Sequence, residues 1–583
     1  MSIEQINGMS DEEKILYLNE TRDNTDESNK IDIIRSLSTD DLKLKCIEYL
    51  LTDESKAAIT YSMSSDENKY KLISLLTDEK VITSAVIELS DNKYKMAILN
   101  RITTTSYKSD IINSLKGYDE DKTKYLELIE NEKDKAIVIA NLSDNEVKKQ
   151  LLEDIKDFNN RCLIVATIKI DEIKQEFISK VKDVGIKTLL IASLEDKTTR
   201  NTLLGINNNI YQRFHLSDEM KVGIEIETEG EKTSEAYLIS QFMNGWNSKR
   251  DTSLENGLEN TSPIITNCKT DIEDLKCVCK VLTELGQEAT ENCAGHIHID
   301  ADYLKTKEAY KNLIELWSNN EELIYLLSNQ KGEIYRDNVS EYAKPISKNV
   351  LESIEAGDFD NYEQLSKEEF IKKIKDFQKG SKGTNERSFG INFLNVGHEE
   401  GQINTIEFRS PNGTIDIDTW MENVTFFGGM IEVSQKISDI SKIDDKERTE
   451  EEKRLLEKFQ SLKEENIDDQ QRLDLLLDLC VPSELKQTFI ERYKENSRIL
   501  SNNPKTYEKI ENMIAKKTVV FNAKQNINEN KQKGKSVLET TREAFEDTTD
   551  IGEINREVSE INRIQQEREE ITEKGNTKDK YDE

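Results

Sequence analysis

Apolar and polar positions alternate with three different rhythms along the chain. From Thr39 the sequence repeats a short unit: TDDLKLKCIEYLL, TDESKAAITYSMS, SDENKYKLISLL, TDEKVITSAVIEL and SDNKYKMAILNRI. Further copies run from SDNEVKKQLLEDI at Ser143 to KDVGIKTLLIASL. The period is thirteen residues, with one unit of twelve. Each clear unit opens with Ser or Thr followed by Asp, residues that cap a helix by accepting hydrogen bonds from its free N–H groups. Each closes on an apolar pair or triplet that needs a neighbour to cover it. A helix of about two turns is unstable alone, so stacking must hold it. Residues 26–206 therefore predict an α-solenoid of short helices, a domain spanning 1–210. It carries no catalytic signature and reads as a scaffold or a surface for a protein partner.

The middle of the chain changes to period two. In MKVGIEIETEG, Val222, Ile224 and Ile226 alternate with Gly223, Glu225 and Glu227. That is a half-buried strand, with both carboxylates on one face, roughly 7 Å apart. CAGHIHIDADY repeats the pattern: His296, His298 and Asp300 share one face, Ile297 and Ile299 the other. INTIEFRSPNGT is the third, with Thr405, Glu407 and Arg409 opposite Ile406 and Phe408. Between the first two, Asp251, Ser253 and Glu259 fit a loop followed by a strand end. Helical spacing returns in DKERTEEEKRLLEKFQSLKEEN and RLDLLLDLCVPSELKQTFIERY, predicting a helical subdomain over 441–518. Beyond it, 519–583 is a charged tail, helical or disordered. Ile551, Ile554, Val558 and Ile561 keep a heptad spacing there for only two heptads.

Composition sharpens these boundaries. Sixteen of the 23 glycines and all three tryptophans fall between residues 223 and 429, so 217–440 is the turn-rich α+β domain between helical flanks. The fold class is multidomain, α and α+β, with a central antiparallel sheet. The net charge of −34 repels nucleic-acid phosphates and anionic membranes alike, so neither is an expected partner. No apolar run is long enough to cross a membrane, and no basic-then-apolar leader opens the chain. Seven scattered cysteines read as reduced thiols, which suits a cytoplasmic protein. Gly534–Ser536 lacks the earlier glycine of a phosphate-binding loop. HExxH is absent, and Cys277 and Cys279 have no second pair for a zinc ribbon.

Each strand pair has a plain reading by itself: a solvated face for Glu225 and Glu227, structural histidines, a salt bridge for Glu407 and Arg409. Read together, the three polar faces would converge carboxylate and imidazole groups and a guanidinium on one sheet. Oxygen-rich ligands with some imidazole suit magnesium or manganese. Arginine beside such cations suits a polyphosphate.

VGIEIET, a Trp with Asp-x-Ser-Leu and Glu-x-x-Ser-Pro, GHIHID and TIEFRSPNGT, in that order over 219–435, resemble the amidoligase family. That family belongs to the carboxylate–amine ligase superfamily typified by glutamine synthetase. RDNVSEYAKP (Arg336, Tyr342, Pro345) and FLNV (Asn395) resemble its intervening segments. The resemblance implies a curved antiparallel sheet holding magnesium or manganese against ATP, and an amide or isopeptide bond made through an acyl phosphate. It implies metal ligands at Glu225, Glu227, Glu259, His296 and Glu407. It implies nucleotide contacts at Arg409 and Arg336, and catalytic roles for Asp251, His298 and Arg409. The substrates would be a small-molecule or peptide carboxylate and an amine. Two rival readings stay open: a metal-dependent hydrolase or oxygenase built on His296 and His298, and a non-catalytic solenoid protein with an inactive ligase domain.

Overall fold

The computed structural model describes residue 6 and residues 8–521, apart from 23–26, 118, 207–212, 252–253, 335, 337, 380–387, 398–402 and 465–466. Ser253, Gly534–Ser536, the heptad stretch and the tail from 522 lie outside the described residues.

The repeats form short helices. Six of them start at Glu27, Asp40, Asp53, Asp66, Glu79 and Asn92, thirteen residues apart. The twelve-residue unit is a change of cap, not of spacing. Ser65 caps Asp66–Ile73, whereas Asp78, the second residue of its unit, caps Glu79–Ile87. Acidic residues at helix starts add a longer tie. Asp53 accepts from the backbone N–H groups of Thr77 (2.6 Å) and Asp78 (2.8 Å). Asp66 does the same with Ser90 and Asp91, and Asp119 with Ser143 and Asp144. Each such carboxylate thus satisfies loop donors two helices further on, so the structural unit is a helix pair. Buried lysines do the complementary work. Lys95 donates to the Ser114 carbonyl at 2.8 Å and Lys148 to that of Thr167 at 3.2 Å, neutralising the negative ends of helices.

The middle region builds one antiparallel sheet in the order β2-β3-β1-β4-β6-β5. Its strands are β1 (Val222–Glu229), β2 (Asn247–Asp251), β3 (Gly257–Thr261), β4 (Gly295–Asp300), β5 (Ile391–Asn392) and β6 (Thr405–Phe408). Three of these match the period-two segments. The expected loop before Glu259 is instead a β2–β3 hairpin. Ile224, Ile226, Ile297, Ile299, Ile406 and Phe408 fill the apolar face. Helices Lys307–Ser318 and Ile417–Ser441 cover that face, with Phe408 stacked on Phe427 at 4.5 Å and packed against Trp317 at 5.6 Å. The polar face is left open.

C-terminal helices Glu450–Ser461, Asp469–Cys480 and Lys486–Ser501 pack behind this layer. Arg492 is buried and donates to the Leu327 carbonyl (2.7 Å) and Asn423 Oδ1 (2.8 Å), and it pairs with Glu422. A Cβ at Gly429 would lie 1.9 Å from the Cys480 carbonyl oxygen, so only glycine lets these helices approach. The described residues up to Phe359 and from Leu365 to Phe521 belong to one compact unit.

The solenoid meets the sheet and the helices beside it through ion pairs. Arg200 reaches Asp274 at 2.6 Å, Lys133 reaches Glu235 at 2.8 Å, and Arg250 on β2 reaches Asp110 at 2.5 Å. Lys80 donates to the Leu254 carbonyl in the β2–β3 turn at 2.8 Å.

Candidate functional site

Strand register decides which side chains meet. Glu225 lies opposite His296 across β1 and β4, and Glu227 opposite Glu259 across β1 and β3. His298 lies opposite Glu407 across β4 and β6, and Lys249 opposite Glu259 across β2 and β3. Because successive residues point to opposite faces, all of these project to the open side. They line one cleft of about 640 Å³, together with Asp251, Arg336 and Arg409. Every residue singled out from the sequence as a metal, nucleotide or catalytic candidate is therefore brought to the same place.

Two acidic clusters divide the cleft. In the first, Glu225, His298 and Glu407 offer ligand atoms within 4.8 Å of one another. His296 Nδ1 and Glu225 Oε2 share a hydrogen bond of 2.8 Å, and His298 Nε2 lies 3.2 Å from Glu225 Oε1. Thr405 Oγ1 holds His298 Nδ1 at 3.1 Å, and Asn392 donates to Glu407 at 2.8 Å. Burial pushes the Glu225 carboxyl up, but the two imidazoles outweigh it and leave it well below the usual range. Burial likewise opposes ionisation of Glu407, and Arg409 with both histidines overcomes it. His296 is lowered by burial and by Arg409, whereas His298, despite burial, is raised by Glu225 and Glu407. His296 Nε2 is buried and makes no hydrogen bond among the described residues.

In the second cluster, Glu227, Asp251 and Glu259 also come within 4.8 Å. Burial drives Glu227 up to about 7, against a hydrogen bond from Ala294 N–H (2.6 Å) and with help from neighbouring Asp251 and Glu259. Glu259 is raised too, by burial and then by Glu225, although Lys249 Nζ sits 2.9 Å away. Crowded carboxylates of this kind are held apart from water by the fold and repel one another until a cation or proton intervenes.

Arg409 ion-pairs with Glu407 at 2.5 Å and donates to the Tyr342 carbonyl at 3.2 Å. The plain salt-bridge reading of that pair is thus present in the geometry, at the rim of the cleft. Arg336 is buried, its guanidinium lowered to about 10 by burial against the pull of Glu227. Its Nη2 makes no hydrogen bond among the described residues.

Sequence reasoning missed Lys249 and Asn392. Lys249 was detectable: it stands two residues before Asp251, on the same face of a strand. Asn392 sits on a two-residue strand, too short for any periodicity. Tyr342 and Ile403 stand at the mouth, 44 % and 68 % exposed.

The donor set fits divalent cations. It is oxygen-rich with imidazole, its carboxylates crowd, and an imidazole nitrogen is buried without a hydrogen-bond partner among the described residues. A cleft of this size also falls within the usual range for a small-molecule site.

Residues 245–430 match the family model described as "Putative amidoligase enzyme". The match indicates a ligase-type enzyme that forms amide bonds. Glu225 and Glu227 precede the matched stretch, and strand pairing is what joins them to it. No curated protein matches the chain.

Proposed function

We propose that the protein is an ATP- and divalent-cation-dependent carboxylate–amine ligase with a sheet fold like that of glutamine synthetase. The observation that carries this reading is the pairing of two acidic clusters with two arginines in one cleft on an open sheet face. A carboxylate and an ammonium do not couple in water at neutral pH, since both are in unreactive charge states. ATP changes this by making the carboxylate an acyl phosphate. The carboxylate oxygen bonds the terminal phosphorus as the bond to ADP breaks. The amine nitrogen then bonds the acyl carbon, phosphate departs with the electron pair, and the amine gives up its proton.

The chain's own groups suit each demand. Glu225, Glu407 and His296 or His298 would hold one cation, and Glu227, Asp251 and Glu259 a second. Bound cations would supply neutralisation of phosphate charge during transfer. Arg409 and Arg336 add fixed positive charge on the same side, with His298 facing the transferred group. Asp251, at the end of β2, is the group placed to hold the amine beside that second cation. The apolar side of the sheet, sealed by Phe408, Phe427 and Trp317, keeps these strands from shifting.

The test is phosphate release from ATP across a panel of amines and carboxylates, with Glu225→Gln as control. Release that needs both substrates and a divalent cation, and that falls about 10²-fold or more in the variant, supports the reading. Release indifferent to both substrates and to Glu225 overturns it.

A further inference from the structure

A second groove, of about 310 Å³, lies where the solenoid meets the sheet. One wall is solenoid (Tyr61, Ile87, Glu88, Tyr107) and the other is the β2–β3 hairpin. Lys249, Asp251 and Glu259 line both this groove and the candidate site, so the two spaces border one another along these side chains. From these observations we infer that the groove docks an extended polypeptide segment and delivers its lysine side chain to Asp251. This rests on the ligase reading and assigns the amine substrate to a class.

Four features point to that occupant. β2 is the outer strand of the sheet and, among the described residues, pairs with no strand but β3, so its far edge offers the geometry that receives an extended chain. The groove's cations are engaged within the protein. Arg250 pairs with Asp110, Lys249 with Glu259, and Lys80 donates to the Leu254 carbonyl. Its outer carboxylates are not: Glu88 and Glu255 are exposed and form no ion pair among the described residues. Finally, Tyr61 is 69 % exposed beside Glu88 and offers its ring to an aliphatic stem. An ammonium on a flexible chain satisfies all of this, whereas a carboxylate or phosphate would be repelled. The solenoid thereby becomes part of the substrate site and not a remote scaffold. Beside Asp251 the lysine ammonium would first lose one proton to solvent; its Nζ would then bond the acyl carbon as the carbon–oxygen bond to phosphate breaks, with the electron pair and the second proton leaving on the phosphate.

The experiment uses the full chain, immobilised, and capped heptapeptides whose central residue is lysine or norleucine and whose other positions are mixed uncharged residues. Bound peptides are quantified by mass spectrometry. Lysine peptides should be retained over norleucine peptides, and Glu88→Lys/Glu255→Lys should weaken that retention by about tenfold. Tyr61→Ala should weaken it too, while Glu447→Lys/Glu451→Lys, outside the groove, should not. Equal retention of both peptide sets, or equal losses from both charge-reversal pairs, overturns the docking site. Competition by N-acetyl-lysine methylamide as strong as by the peptides overturns the polypeptide assignment. Magnesium-dependent ATP binding, measured on the same preparations, separates the two ideas. If it persists while peptide selectivity fails, the groove alone is wrong; if it is missing, the ligase reading is.

Discussion

Replacing Glu227 by Gln separates a metal site from a merely acidic cleft. Glu227 is 7 % exposed, and its carboxyl rises from 4.5 to about 7. A rise of that size corresponds to about 3 kcal/mol against the ionised form. The sign follows from proton binding: between pH 4.5 and 7 the folded protein holds a proton the unfolded chain releases. Stability from this group is therefore lost as pH rises through that window, and the full penalty applies above pH 7. Glu227→Gln removes the charge, and its side-chain oxygen can still accept from Ala294 N–H. In EDTA at pH 8 the variant should melt a few degrees higher than the parent, and near pH 4.5 the two should melt together. Magnesium or manganese at pH 8 should reverse the order, because the parent gains a cation bound to three carboxylates and the variant loses one of the ligands. Differential scanning calorimetry with and without metal reads both differences. A variant that melts lower in EDTA, or a parent that gains no more from metal than the variant, would refute the reasoning.

Other expectations follow from the packing. Arg492→Leu strands Glu422 in the interior and should cost about 3–5 kcal/mol, read by urea denaturation. Gly429→Ala sets a methyl against the Cys480 carbonyl and should cost about 1–3 kcal/mol by the same measurement, with little change at Gly8, where a Cβ meets nothing. The solenoid should melt in acid. Burial opposes ionisation of Glu79, yet hydrogen bonds from Thr103 and Thr104 lower it to about 2, and Asp53 is lowered in the same way by Thr77 and Asp78. That stability is complete above about pH 4.5 and is lost as pH falls toward 2, so helical circular dichroism should drop across that range and Asp53→Ala should move the drop to higher pH.

Legibility in the sequence tracked how local each cause is. Ile224, Ile297 and Ile406 alternate with polar residues because one sheet face is buried, and that pattern alone reveals β1, β4 and β6. Asn247–Asp251 has no apolar residue, and Ile391–Asn392 is only two residues long, so β2 and β5 leave no such trace. The thirteen-residue rhythm was plain, but the cap shift from Ser65 to Asp78 shows only once hydrogen bonds are known. Convergence of Glu225, His296 and Glu407 could be argued from shared polar faces; their order across the sheet could not. Pairs such as Asp110–Arg250 join residues far apart in the chain and have no periodic signature. They decide that the solenoid borders the site.

The most direct test is anomalous diffraction from crystals grown with manganese and a non-hydrolysable ATP analogue. One manganese peak should fall among Glu225, His298 and Glu407 and another among Glu227, Asp251 and Glu259, with the phosphates beside Arg336 and Arg409. A cleft without manganese, or a nucleotide bound away from it, would contradict the account.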